Sequence, residues 1–202
     1  MLIRAHDDES SNDVRWRAFL AAQGFGHFAA SGSSRDVPVL VPTQFLLDGD
    51  LVRFHLAAQN PVLECLRENP KAVLSAAGDW AYIPGSWKQI GDEDPRVGIP
   101  TTYYGAVQLT GEAAVIDEPA HIAQILQAQL GDLEPGSDYV DPIEHGAKLR
   151  TIRGIEMRVT DVRAKFKYGG NVDTEHRAAV ADKLAQRQGP GDAAARRHIP
   201  AD

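Results

Sequence analysis

The chain has one cysteine in 202 residues, Cys65, so an internal disulfide and a cysteine-rich metal centre are both excluded. Cys65 falls on the apolar face of a short predicted helix, which suits a packed thiol rather than a reactive one. Long hydrophobic runs are missing too: no stretch approaches the roughly 18 residues needed to span a bilayer. The opening Met1-Leu-Ile-Arg-Ala-His-Asp-Asp-Glu9 is too poor in apolar residues for a signal peptide, so the expected location is the cytoplasm, without a membrane partner. Positive charge is scarce, with 21 Lys and Arg against 28 Asp and Glu and a net charge of −7. A broad phosphate-binding surface is therefore not expected, because nonspecific affinity for nucleic acid comes largely from Lys and Arg releasing counterions. Arg196-Arg197-His198 is too short a basic run for a DNA-binding arm, and no turn-linked pair of helices shows a basic exposed face, so direct DNA binding is not expected. The seven histidines include no H-x-x-x-H pair, and no metal site is expected. Gly85-Ser86-Trp87 lacks the G-x-S-x-G elbow of common hydrolases.

What is present is an ordinary globular composition, 43% hydrophobic and 24% charged, long enough for one well-buried core. The expectation is a single domain over 1–188 and a flexible tail over 189–202, whose hydrophobic content is too low for firm packing. A first helix is predicted from Asp13 to Ala22, with Trp16, Phe19 and Leu20 on one side. Strands are predicted near Gly26–Ala30 and where Val37, Val39 and Val41 alternate. Asp48-Gly49 is a hairpin signal joining Gln44–Leu47 to the alternating Leu51–Ala57.

Asn60-Pro61 starts a short helix with Val62, Cys65 and Leu66 on its apolar face, and Asn69-Pro70 ends it before a strand around Ala72–Ser75. Tyr104 to Ile116 reads as a half-buried strand, Asp117-Glu-Pro119 opens a helix with a stripe of Ile122, Ile125, Leu126 and Leu130, and Leu133 to Gly146 reads as loop. Ile155, Met157 and Val159 alternate on one parity and Val162, Ala164 and Phe166 on the other, which predicts a bulge near Thr160-Asp161. Asp173 or Thr174 caps a last helix to about Gln186. Many short strands with a few helices make the fold class mainly β with peripheral helices, and periodicity leaves barrel and sandwich open.

Several constellations have two readings. Gly24-Phe-Gly-His-Phe-Ala29 matches a dinucleotide fingerprint in letters, but an amphipathic helix precedes it where a strand is required, so it reads as a glycine turn into a strand. Trp80, Tyr82 and Trp87 suit either a barrel core or the wall of a flat ring. At least one of Tyr103 and Tyr104 is expected at a rim where its hydroxyl stays hydrogen-bonded. Arg163, Lys165 and Lys167 share one strand face, by default a solvated one.

The order of His55-Leu-Ala-Ala-Gln-Asn-Pro61, Ala81-Tyr-Ile-Pro-Gly-Ser-Trp87, Ile99-Pro-Thr-Thr-Tyr-Tyr104 and Lys165-Phe-Lys167 with Asn171 resembles the PaiB-like negative transcriptional regulators. These are a branch of the FMN-binding split β-barrels related to pyridoxamine phosphate oxidases. The resemblance runs over roughly residues 1 to 185. It implies an FMN-binding split β-barrel, a homodimer with the flavin between subunits, and repression of other genes by an indirect route. It nominates His55, Leu56, Asn60, Trp87, Tyr103, Tyr104, Lys165, Lys167 and Asn171 as cofactor-binding residues, with FMN phosphate near His55 to Asn60 and charge from Lys165 or Lys167. It nominates no catalytic residue. A flavin-dependent oxidoreductase acting on a small molecule is the alternative, and a haem-associated split barrel a third reading. The chain departs from the family pattern at Thr102-Tyr103, where Trp-Asn is usual, at Tyr168-Gly-Gly170, where Leu-Ser-Gln is usual, and in an added loop from Gln89 to Gly98.

Overall fold

Alternation is the organising signal of the strands. In Leu51–Ala57 (β4), Val52, Phe54 and Leu56 are buried while Leu51, Arg53 and His55 are half-buried, as a period of two requires. A computed structural model describes residues 1–88 and 94–200; the added loop after Trp87 therefore lies partly outside the described residues. Within them the elements are α1 (Asp13–Gln23), β1 (Phe25–Ala30), β2 (Val39–Gln44), β3 (Leu46–Asp48), β4, α2 (Val62–Glu68) and β5 (Lys71–Ile83). There follow β6 (Thr101–Ile116), α3 (Pro119–Leu133), β7 (Ile152–Lys167), α4 (Thr174–Arg187) and α5 (Asp192–Arg196), with 3-10 turns at Gly85–Trp87 and Pro142–Thr151. The strands are ordered β2-β1-β5-β6-β7-β4-β3, and the pairs β1–β2, β1–β5, β3–β4 and β4–β7 are antiparallel.

The chain forms two compact units. One comprises Met1–Phe19, Ala77–Val107 and Arg163–Asp202; the other comprises Leu20–Ala76 and Gln108–Val162. In the second, Asp48 pairs with Leu51 across the predicted hairpin, and Gly49 takes the left-handed φ of +55° that such a turn needs. Gly24, φ +57°, makes the predicted turn into β1, where Phe28 packs against Phe54 at 5.0 Å between ring centres. Cys65 is buried on α2, and Glu118 caps α3 by accepting from the Ala120 and His121 amides. In the first unit, Phe19 meets Phe166 edge-on at 5.3 Å, and Asp173 caps α4 by accepting from the His176 amide.

Burial along β7 changes parity where the bulge is predicted. Ile155 and Met157 are buried before it, Ala164 and Phe166 after it, and Thr160 and Asp161 are both exposed. Of the two readings for Trp80 and Tyr82, barrel core fails: they lie 58% and 50% exposed, because the buried side of β5 changes from Ala72, Leu74 and Ala76 to Ala81 and Ile83 across the left-handed Asp79. The stretch from Gly189 to Pro200, expected as part of a flexible tail, packs despite its low hydrophobic content, because polar groups anchor it. Asp192, 1% exposed, pairs with Arg187 and accepts from the Gly189 amide, and the His198 ring stacks on Tyr168 at 4.8 Å.

Candidate functional site

The end of β7 and the start of β6 bring cations to one hollow of about 420 Å³ in the first unit. Lys165 and Lys167 are two apart on β7 and so point to the same side. Thr101 and Tyr103 are likewise two apart on β6. Asn171 enters from the turn after β7, and the amino-terminal segment adds Arg4 and His6. The Lys167 ammonium donates to Thr101 Oγ1 at 2.5 Å, and Lys165 donates to the Leu2 carbonyl at 3.0 Å. Lys165 also stands 5.6 Å from the centre of the Tyr104 ring. Lys88 completes the cationic lining. Burial, followed by the like charge of Lys167, holds its pKa below the usual lysine value, so an anion near it would relieve both penalties.

Tyr103 is 1% exposed, and its hydroxyl has no hydrogen-bond partner among the described residues. Desolvation pushes its pKa up, with Arg177 opposing and Asp7 assisting. The expectation of a rim tyrosine therefore falls to Tyr104, which is half-buried, since Tyr103 is buried. Asp7 brings one buried carboxylate to the lining, 3.7 Å from His6 Nε2, against the four cations Arg4, Lys88, Lys165 and Lys167. The departures from the family pattern meet here. Gly169 has φ +86°, and a Cβ on it would lie 2.6 Å from the Tyr103 hydroxyl; a Cβ on Gly170 would collide with the His6 carbonyl. Tyr168 is buried and donates to the Asp79 carbonyl at 3.0 Å.

The remaining nominated residues lie elsewhere. In the second unit His55 and Leu56 line a hollow of about 430 Å³ with Thr43, Gln44 and Gln129. His55 Nδ1 stands 2.7 Å from Gln129 Oε1, a contact in which the ring nitrogen donates to the amide oxygen. Asn60 is absent from that lining. Its Oδ1 accepts from the Val62 amide, at the first residue of α2, at 3.1 Å, and so uses one of the donors expected for phosphate. Trp87 lies on the 3-10 turn, its indole facing the Arg187 guanidinium at 4.7 Å and the Lys183 ammonium at 6.0 Å. Sequence reasoning missed Arg4, His6, Lys88 and Thr101. Lys88 had one signal, its place directly after the Trp87 motif. Arg4 and His6 had none, since only the tertiary fold, with its bridge between Asp8 and Lys165, brings them in.

The family described as "Putative FMN-binding domain" matches residues 1–161. The chain belongs to that family. FMN is thus the cofactor of this FMN-binding chain. It is 23% identical over 180 residues to "Protease synthase and sporulation protein PAI 2" of Bacillus subtilis (strain 168), covering 85% of the chain and 84% of that relative. The FAD and heme binding protein of Mycobacterium smegmatis superposes with a TM-score of 0.62 at 19% identity, over 86% of this chain and 79% of that one. A flavocytochrome of Azotobacter vinelandii gives 0.60 at 20%, over 81% and 71%. The fold of the FMN-binding chain is accordingly a split β-barrel with helices. The match to the family ends four residues before Lys165, so the cationic hollow is tested on its own chemistry. Ammonium groups, an amide and a buried hydroxyl without an acceptor suit the phosphate end of FMN.

Proposed function

We propose that this chain is an FMN-binding homodimer, resembling PaiB-like regulators, whose phosphate-end site is the hollow of Lys88, Lys165, Lys167, Tyr103 and Asn171, and whose regulatory output does not run through direct DNA contact. One observation carries the reading: a buried tyrosine hydroxyl without an acceptor stands in a lining where cations outnumber the carboxylate four to one. Lys167 is held at the hollow by Thr101, Lys165 by the Leu2 carbonyl, and Lys88 by partial burial. Bound FMN supplies hydride and electron transfer. The chain's net charge of −7 supports an output through another protein or through flavin chemistry.

Fluorescence titration with FMN and with riboflavin tests the site, because the two ligands differ by the phosphate alone. FMN binds more tightly. Lys167→Ala weakens FMN by about ten- to hundredfold, the effect of a charged hydrogen bond worth roughly 1.5 to 3 kcal/mol, and leaves riboflavin nearly unchanged. Equal affinity of the parent chain for the two ligands removes the phosphate site.

A further inference from the structure

A second hollow, of about 800 Å³, is lined, among the described residues, by ones between Thr174 and Pro200. It lies wholly beyond the stretch that matches the family. One wall is α4, where Ala178, Ala181, Leu184 and Ala185 fall three or four apart along one helical face. The other wall is the segment from Gly189 onward, with Ala193 and Ile199 supplying apolar surface. Arg196 and Arg197 also line it. In a chain of net charge −7, no Asp or Glu among the described residues does.

The two arginines differ from others nearby. Arg187 is paired with Asp192, and Arg177 donates to the Val172 carbonyl and the Thr174 hydroxyl. Arg196 and Arg197 have no hydrogen-bond or ion-pair partner for their guanidinium groups among the described residues. The wall that carries them is held in place from outside the hollow. His198 Nε2 meets Asp79 Oδ2 at 2.6 Å, its ring stacks on Tyr168, and Arg15 donates to its carbonyl at 3.3 Å. A preformed concavity of this volume, mostly apolar with a few convergent polar groups, has the character of a small-molecule site.

We propose that this hollow binds a small amphiphilic anion, an organic carboxylate or sulfonate with an aromatic or medium-length alkyl body. The headgroup meets Arg196 and Arg197, whose planar forks match such oxyanions, and the body lies against the alanine and leucine wall of α4. The inference stands apart from the flavin reading, since it uses none of the residues assigned to FMN.

Isothermal titration calorimetry on the full chain, with octanoate and naphthalene-1-sulfonate as probes and acetate and octan-1-ol as controls, tests it. Both probes bind, and the controls, which lack the body or the charge, bind at least about tenfold more weakly. Arg196→Ala combined with Arg197→Ala weakens the probes about ten- to hundredfold, the loss expected for charge-assisted hydrogen bonds. Ala181→Trp, which fills the hollow, abolishes probe binding while FMN affinity is unchanged. Because both arginines are exposed, the double variant keeps the fold, and it decides the matter if the tryptophan variant does not fold. No heat with either probe, equal binding of octanoate and octan-1-ol, or probe affinity unchanged in the arginine double variant overturns the proposal.

Discussion

At Tyr103 the structure holds a polar atom where a phenyl ring would do for packing. A buried hydroxyl without a partner costs about 1 to 3 kcal/mol, and native chains retain one when it meets something the free protein lacks. Tyr103→Phe therefore leaves the stability of the flavin-free chain unchanged or raises it by up to about that amount, while FMN affinity falls. Thermal unfolding with and without FMN separates the two effects; a loss of stability without ligand would mark the hydroxyl as structural. Gly169 explains why a tyrosine is accommodated here, since any Cβ would crowd its oxygen. Neither substitution in the family pattern makes sense alone. Tyr103 needs a glycine opposite, and Gly169 sits 66 positions away in the chain, so the compensation is invisible to a reading that works by local spacing.

Local signals were enough for most elements. The Asp48-Gly49 hairpin, the cap at Asp173, the stripe of α3 and the parity change in β7 each depend on neighbours a few residues apart, and each lies where its pattern puts it. Aromatic character could not decide between core and ring wall for Trp80 and Tyr82, because the buried side of β5 switches from Ala72, Leu74 and Ala76 to Ala81 and Ile83 across the left-handed Asp79, a change of parity that the letters do not announce. The segment expected to be a flexible tail differs for another reason: α5 is held by Asp192, whose partners Arg187 and the Gly189 amide a hydrophobicity count ignores. Replacing Asp192 leaves the half-buried Gly189 amide and the Arg187 guanidinium without their acceptor. Asp192→Ala accordingly lowers stability by about 1 to 3 kcal/mol and raises hydrogen exchange across Asp192–Arg196 more than across α3. Uniform exchange in both helices would show that the ion pair does not anchor α5. Of the nominated site, the strand pairs Lys165 with Lys167 could be read from sequence; Arg4, His6 and Lys88 arrive through the fold.

For the whole molecule, the homodimer is the expectation with most consequence, because the exposed Trp80 and Tyr82 present apolar rings that a single chain leaves in water. Light scattering on dilute purified protein gives about twice the chain mass if the reading is right, and a monomer over a wide concentration range would sink it. The two compact units also constrain how this protein can be altered. One is assembled from three separate stretches of sequence and the other from two, with β5, β6 and β7 each passing from one to the other without a linker. No single cut in the gene can therefore release either unit intact, and swapping halves with a relative would break three strands at once. The segment from Gly189 to Pro200 is a different case: it is one contiguous stretch that holds no strand, so recombination could replace it in one step and change what the arginine-lined hollow accepts while leaving every strand unbroken.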